Sequence, residues 1–157
     1  MTTQVRDLSF SDLDGLLALY RELHPGDEPL PARSAVEELW RSILADSAQI
    51  YVGCFVEGAL VAACNAAVVP NLTRGARPYA VIENVVTARA HQRRGLGSLA
   101  LQELLRRCWS RRCYKVMLLS SATRAQVQAF YEANGFDRSS KQGFVMKPTE
   151  RQPNKDP

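Results

Sequence analysis

Apolar side chains recur along this chain with two alternating periods, and the switches between them mark out its elements. A short alternating stretch, Gln4 to Leu8, predicts an opening strand. Leu13, Leu16, Leu17, Tyr20 and Leu23 then share one face of a helix that Ser11 or Asp12 can cap and that Pro25 and Gly26 end. A second helix is expected from Ser34-Ala35-Val36-Glu37, which has capping-box spacing, with Val36, Leu39, Trp40 and Ile43 as its buried stripe. After Ser47 the pattern turns to strands. Ile50 to Val56 and Ala59 to Val69 read as a hairpin closed by Glu57-Gly58. Residues 70–78, with two prolines, a glycine and no periodicity, read as a loop.

Tyr79 to Thr87 is predicted as the next strand, its apolar run broken by Glu83-Asn84. Leu101, Leu104, Leu105 and Cys108 then place a long helix over Gly95 to about Arg112. Tyr114 to Leu119 reads as a strand, Ala125 to Ala133 as a helix capped by Asn134-Gly135, and Gly143 to Lys147 as a last strand. The order β-α-α-β-β-β-α-β-α-β implies an α/β (α+β) domain with a mixed sheet and helices on its faces.

Length and composition fit that picture without enlarging it. The 157 residues suit one domain, and 46% apolar against 23% charged residues suits a packed core rather than a disordered chain. The longest apolar stretch, Ala59 to Val69, has Asn65 inside it and falls well short of the roughly 20 residues that span a bilayer. The first residues lack the basic-then-apolar layout of a secretion signal, so a cytoplasmic location is expected. Cys54, Cys64, Cys108 and Cys113 have no paired metal-ligand spacing, and His24 and His91 lie far from them, so buried free thiols and no metal are expected. Residues 148–157, with three prolines and no large apolar side chain, read as a disordered tail after a domain of 1–147.

Charge changes the picture more. The net +4 hides a window, 89–115, in which seven Arg and one Lys face only Glu103, while the remainder is slightly acidic. Inside that window lies Gln92-Arg93-Arg94-Gly95-Leu96-Gly97-Ser98, between a predicted strand and a predicted helix. Two glycines let successive N–H groups turn toward one point at the positive end of the helix, which makes an anion cradle. It is neither a P-loop, since no Lys-Ser/Thr follows, nor a G-x-G-x-x-G fingerprint, since position 100 is Ala.

This loop, followed by Phe130-Tyr131-Glu132-Ala133-Asn134-Gly135-Phe136, resembles the GCN5-related N-acetyltransferase (GNAT) superfamily over residues 4–147, with the specific motifs in 79–136. The resemblance implies a single-domain fold with a mostly antiparallel sheet, splayed central strands, and acetyl-coenzyme A as cofactor. It implies that the backbone of Val85, Val86 and Thr87 meets the pantetheine arm, and that Gln92, Arg93, Arg94, Gly95, Leu96, Gly97 and Ser98 hold the pyrophosphate. Ile82-Glu83-Asn84-Val85 and Cys113-Tyr114-Lys115-Val116 further look like glucosamine-6-phosphate N-acetyltransferases. The chain departs from the family pattern at Arg124, where many members have an Asn that bonds the cofactor, and at 88–91, where the customary proline is absent.

Acetyl transfer to an amine needs a neutral nucleophile, donors for an oxyanion and a proton for the departing thiolate. Tyr131 suits the last task, because a phenol, ordinarily titrating near ~10, stays protonated beside a thiol titrating near ~8.5; its other reading is a core residue of its helix. Glu83 is either the base that takes the amine's proton or a ligand that only binds the ammonium or hydroxyls. Arg74, Arg77 and Tyr79 are the side chains expected on the acceptor, where two cations suit a phosphorylated or carboxylated small-molecule amine; the other reading of these residues is solvated loop charges. A peptide or protein acceptor, a catalytically silent cofactor sensor, and nucleic-acid binding through Arg106, Arg107, Arg111 and Arg112 are the competing classes. The resemblance also implies a homodimer, for which Phe144, Val145 and Met146 are the candidate apolar contacts.

Overall fold

A computed structural model of the chain describes residues 2–121 and 123–148. Of the described residues, those up to Leu119 form one compact unit and those from Ser120 onwards a second. In the first, β1 (Thr3–Asp7), β2 (Gln49–Val56), β3 (Ala59–Val69), β4 (Tyr79–Thr87) and β5 (Val116–Leu118) lie in one sheet in chain order. The first four are antiparallel neighbours, and β5 joins β4 in parallel. That last join follows from its connection, because a parallel neighbour needs a long crossover, and helix α4 (Leu96–Ser110) supplies it. The expected hairpin turn forms with left-handed φ at both Glu57 (+47°) and Gly58 (+82°), the geometry that matches strand twist.

Helices cover both faces of the sheet. On one, Leu13, Leu16 and Leu19 of α1 (Leu13–Leu23) and Trp40 of α2 (Arg33–Ala45) pack with Phe55, Ala63 and Val86. Gly53 lies under this layer, where a Cβ would stand 2.5 Å from Leu8 Cδ2 and 2.6 Å from Leu60 Cδ1, so only glycine lets those side chains close over the strand. Neighbouring positions on a strand face opposite ways, so Cys64 turns from Ala63's side toward α4, whose Cys108 lies beside it. Leu101 and Leu104 of α4 are wholly buried, each contributing about 1.5–3 kcal/mol by leaving water. In the second unit, α5 (Ala125–Ala133) is closed by Gly135 at φ +90°, as Asn134-Gly135 predicts.

Several expectations need correction. The capping box at Ser34 does not form: α2 begins at Arg33 after Ala32, and Glu37 instead pairs with Arg33 (2.8 Å) and Arg41 (3.7 Å), one turn either side. The reciprocal clasp sits earlier, where Ser9 N and Oγ both donate to Asp12 Oδ2 (2.7 and 2.8 Å) and Arg6 grips the same carboxylate. Leu39 is 61% exposed and lies outside the buried stripe of α2. The loop 70–78 contains a four-residue turn, α3 (Thr73–Ala76), with left-handed φ at Arg74, Gly75 and Ala76. Asn71 Nδ2 holds it by donating to the carbonyls of Thr73 and Arg77.

Strand β5 is three residues long rather than the six of Tyr114 to Leu119. Gly143 to Lys147 is not a strand: it has no ladder partner among the described residues, and Phe144 and Met146 stand in solvent at 88% and 96% exposed. Alternation alone does not make a strand without an edge to pair with. All of the expected tail except residue 148 lies outside the described residues. No helix among the described residues is long and apolar enough to cross a membrane.

Candidate active site

The break in the apolar run of β4 is a bulge. Ala63 pairs with Val86 and Asn65 with Glu83, so Asn84 and Val85 together stand opposite the single residue Cys64. Asn84 takes a left-handed φ of +52°, which asparagine tolerates better than most residues, and its Nδ2 donates to Asn65 Oδ1 at 3.1 Å. Asn65 is the one buried polar side chain among the described residues, at 7% exposed. Directly opposite positions share a face, so Tyr51, Asn65 and Glu83 form a polar row across β2, β3 and β4. Glu83 ends this row in solvent, and Tyr51 begins it against the edge of Trp40, ring centroids 5.1 Å apart. Nearby in the same layer the Tyr20 hydroxyl is buried without a partner, and burial pushes its phenol well up.

The other side of β4 is open along the same residues. Pairing with β5 runs only from Ala80–Val116 to Ile82–Leu118, so 83–87 continue past the end of β5 with no strand beside them among the described residues. Backbone groups of Val85, Val86 and Thr87 therefore border a gap between two strands that are hydrogen-bonded at their other end. That is the splay expected between the central strands, and Glu83 stands at its apex.

β4 then leads into the glycine loop. Gln92 Nε2 donates back to the Thr87 carbonyl (3.2 Å), fastening the loop to the strand end. Arg93 and Gly95 both take left-handed φ, +60° and +76°, and the second is the N-cap of α4. Such a turn aims backbone N–H groups at one point, and the first turn of α4 adds donors that have no carbonyl partner within the helix. A Cβ on Gly95 would meet nothing within 4 Å, so glycine is required there by its backbone and the space above it is open. Arg93 and Arg94 are exposed beside it, and Arg94 Nη1 lies 3.1 Å from His91 Nδ1. An open cradle of donors flanked by two guanidiniums fits a pyrophosphate, so these residues suit coenzyme A.

At the far end of β4 the acceptor candidates fall into two groups. Arg77 is tied down, donating from Nε to the Arg112 carbonyl and from Nη2 to that of Cys113 (both 3.3 Å). Arg74 lies 6.0 Å above the Tyr114 ring, which meets Tyr79 edge-on at 6.4 Å. Lys115 completes this cluster with its ammonium 5.3 and 5.5 Å from the two ring centroids. The sequence points to Arg74, Arg77 and Tyr79; it shows Tyr114 and Lys115 only within a segment of family resemblance, and Asn65 only as a polar residue inside an apolar run. Tyr131, on α5 of the second unit, is half-buried between Phe130 and Phe136, with centroids at 5.2 and 5.8 Å.

The basic end of α4 has an internal use. Glu103 accepts from both Arg106 and Arg107 (2.7 Å each), and these two guanidiniums hold its carboxyl down at about 2. Arg107 also reaches Asp7 of β1 (2.7 Å), and Arg111 donates to the Ser47 carbonyl (2.5 Å). Arg107 and Arg111 thus fasten the end of α4 to β1 and to the entry of β2, while Arg106 pairs within the helix.

Comparison with known proteins accords with this geometry. The sequence profile of the Acetyltransferase (GNAT) family matches residues 13–136. A glucosamine 6-phosphate N-acetyltransferase of Trypanosoma brucei brucei is 31% identical over 142 residues, covering 88% of this chain and 92% of that protein. A solved structure from Agrobacterium tumefaciens str. C58, titled "Putative acetyltransferase", superposes with a TM-score of 0.86 at 39% identity, over 92% of this chain and 99% of that one. The glucosamine-6-phosphate N-acetyltransferase of Arabidopsis thaliana shares the fold, with a TM-score of 0.80 at 22% identity over 96% and 99% of the two chains.

Proposed function

Because the chain belongs to the acetyltransferase (GNAT) family, whose members use acetyl-coenzyme A, we propose that it acetylates the primary amine of a small molecule, an amino-sugar phosphate or a close chemical relative. The observation that carries this reading is the open edge of β4 at 83–87, which begins at an exposed carboxylate and ends in the left-handed glycine loop. The loop Gln92 to Ser98 would hold the pyrophosphate, with Arg93 and Arg94 against its charge, and the backbone of Val85, Val86 and Thr87 would hold the pantetheine. Bound there, the cofactor supplies an activated acetyl thioester.

The protein's own part is orientation and proton handling. Glu83, in solvent at the apex of the splay, meets the acceptor's ammonium and either holds it or takes its proton, directly or through a water. Backbone N–H groups at Val85 or Val86 are the candidate donors for the carbonyl oxygen as charge gathers on it. The family resemblance gives Tyr131, on α5, the role of proton donor for the departing sulfur. The acceptor's anionic group is read by Arg74 and Tyr79, with Arg77 bracing the turn that carries their neighbours. The acceptor class is supported by these cations and by the name of the 31% identical relative. Exposed Phe144, Val145 and Met146 make a self-association surface the economical reading of the C-terminal segment, and sedimentation of the Phe144→Ser variant tests it. Four unpaired cysteines suit a cytoplasmic setting.

The test is thiol release from acetyl-coenzyme A over a panel of amino-sugar phosphates, aminoglycosides, polyamines and a lysine peptide, with the product identified by mass. Release with a phosphorylated amino sugar and not with the peptide is expected. Preference for the peptide overturns the small-molecule reading. No release with any acceptor, and no thermal shift where saturating cofactor should add roughly 2.7 kcal/mol at 100 times its dissociation constant, overturns the enzyme reading for this chain. For Glu83→Gln, loss of the acidic limb of the pH–rate profile identifies the base, whereas an unchanged limb with a raised KM leaves Glu83 as a ligand only.

A further inference from the structure

The bulge that opens β4 is held by a pair of side chains outside the reacting groups themselves. Asn84 adopts φ +52°, a conformation that disfavours side-chain-bearing residues, and no glycine is there to make it free. What accompanies it is the 3.1 Å bond from Asn84 Nδ2 to Asn65 Oδ1. Asn65 is buried in the middle of β3 among Ala62, Ala63, Cys64 and Ala66, where an amide is costly unless it is bonded. An apolar side chain would suit that stretch of β3 better if packing were its whole purpose. Asn65 also pairs in register with Glu83, and Asn84 follows Glu83 directly, so one amide sits beside both the carboxylate and the residue that shifts the strand.

We propose that Asn65 is a positioning residue for acetyl transfer: its Oδ1 clasps Asn84 in the left-handed conformation and thereby sets where the Glu83 carboxylate and the Val85 backbone stand. The clasp reaches across the strand pair, so it fixes β4 against β3, the neighbour that stays paired, while the β5 side remains open. Without it, β4 can relax toward regular pairing, which moves Val85 by one place in the ladder and turns its N–H away from the gap. This inference rests on the reading of 83–87 as the transfer site.

The experiment compares Asn65→Ala, Asn84→Ala and Asn84→Gly with the parent in the full chain. Expected for Asn65→Ala is a fall in kcat of about tenfold per folded molecule, with KM for acetyl-coenzyme A within about twofold, since the glycine loop is untouched. Asn84→Gly, which keeps access to left-handed φ, should retain more kcat than Asn84→Ala, which does not. Amide hydrogen exchange of peptides spanning 83–87 supplies a readout independent of turnover, and exchange should quicken in Asn65→Ala while that of α4 peptides stays as in the parent. A kcat within twofold of the parent for Asn65→Ala, accompanied only by a lowered thermal midpoint, overturns the proposal and leaves Asn65 as a packing residue. Equal kcat in the two Asn84 variants overturns it as well. If the parent itself releases no thiol with any acceptor, the transfer reading has failed on its own, and unchanged exchange at 83–87 would still sink the clasp separately.

Discussion

Arg106 and Arg107 converge on one carboxylate at 2.7 Å, whereas Arg93, earlier in the same basic segment, has no ion-pair partner among the described residues. Both belong to the window whose charge stands out in the sequence, yet the two ends of that window differ in kind. At the helix end, guanidiniums are matched to Glu103, Asp7 and a backbone carbonyl, and the charge is consumed in holding α4 to the sheet. At the loop, the backbone is bent into left-handed φ at Arg93 and Gly95, and arginines flank an open space. Clustered cations mark a ligand site when the backbone around them is arranged to donate as well, and a structural brace when carboxylates stand among them.

The contrast can be broken most severely at Gly95. Valine there must adopt φ near +76°, which costs roughly 1–2 kcal/mol for a side-chain-bearing residue and fills the cradle. KM for acetyl-coenzyme A should rise at least about tenfold, measured by initial rates, with the thermal shift from cofactor lost. A smaller effect is expected from replacing Arg93 and Arg94 together by Ala. Two partly solvated charge contacts to phosphate imply an increase in KM of about three- to tenfold, shrinking as salt is added from 50 to 500 mM.

The smallest effect belongs to the brace. Glu103→Gln should leave KM unchanged and lower stability by no more than about 1 kcal/mol, read from urea midpoints. Its pH dependence follows from the depressed carboxyl. The folded value, about 2, lies below that of the unfolded chain, so the stabilisation is complete above about pH 5 and is lost as pH falls through about 2. The gap between parent and variant midpoints should therefore be flat from pH 5 to 8 and close on acidification. A gap that instead widens as the pH falls, or a raised KM in this variant, would contradict the division of labour between the two ends.

The course of the chain was largely legible because apolar periodicity is imposed by burial, and α1, β2, β3, β4 and α4 each bury a face or stripe that their sequences announce. What was not legible depended on partners elsewhere in the chain. Ser34 and Glu37 have capping-box spacing, but Arg33 and Arg41 offer Glu37 ion pairs along the helix. Gly143 to Lys147 has strand composition but no ladder partner among the described residues. In the candidate site, the glycine loop was readable because glycine records a backbone requirement in the sequence itself. The bulge was not, because Asn84 takes its left-handed turn without one, and the Asn65 that meets it lies 19 positions away. Lys115 is not legible as a site residue for a similar reason: its place beside Tyr79 exists only once β5 runs parallel to β4.

The four cysteines bear on how such a protein can be watched at work. All are unpaired and buried, and burial pushes the thiols up, that of Cys108 to about 11. A disulfide reagent that counts coenzyme A thiols as they are released therefore meets almost no background from the folded protein. The same reagent becomes a clock for unfolding: once the chain opens, four further thiols per molecule enter the signal. One cuvette thus separates turnover, which scales with acceptor, from loss of the fold, which does not.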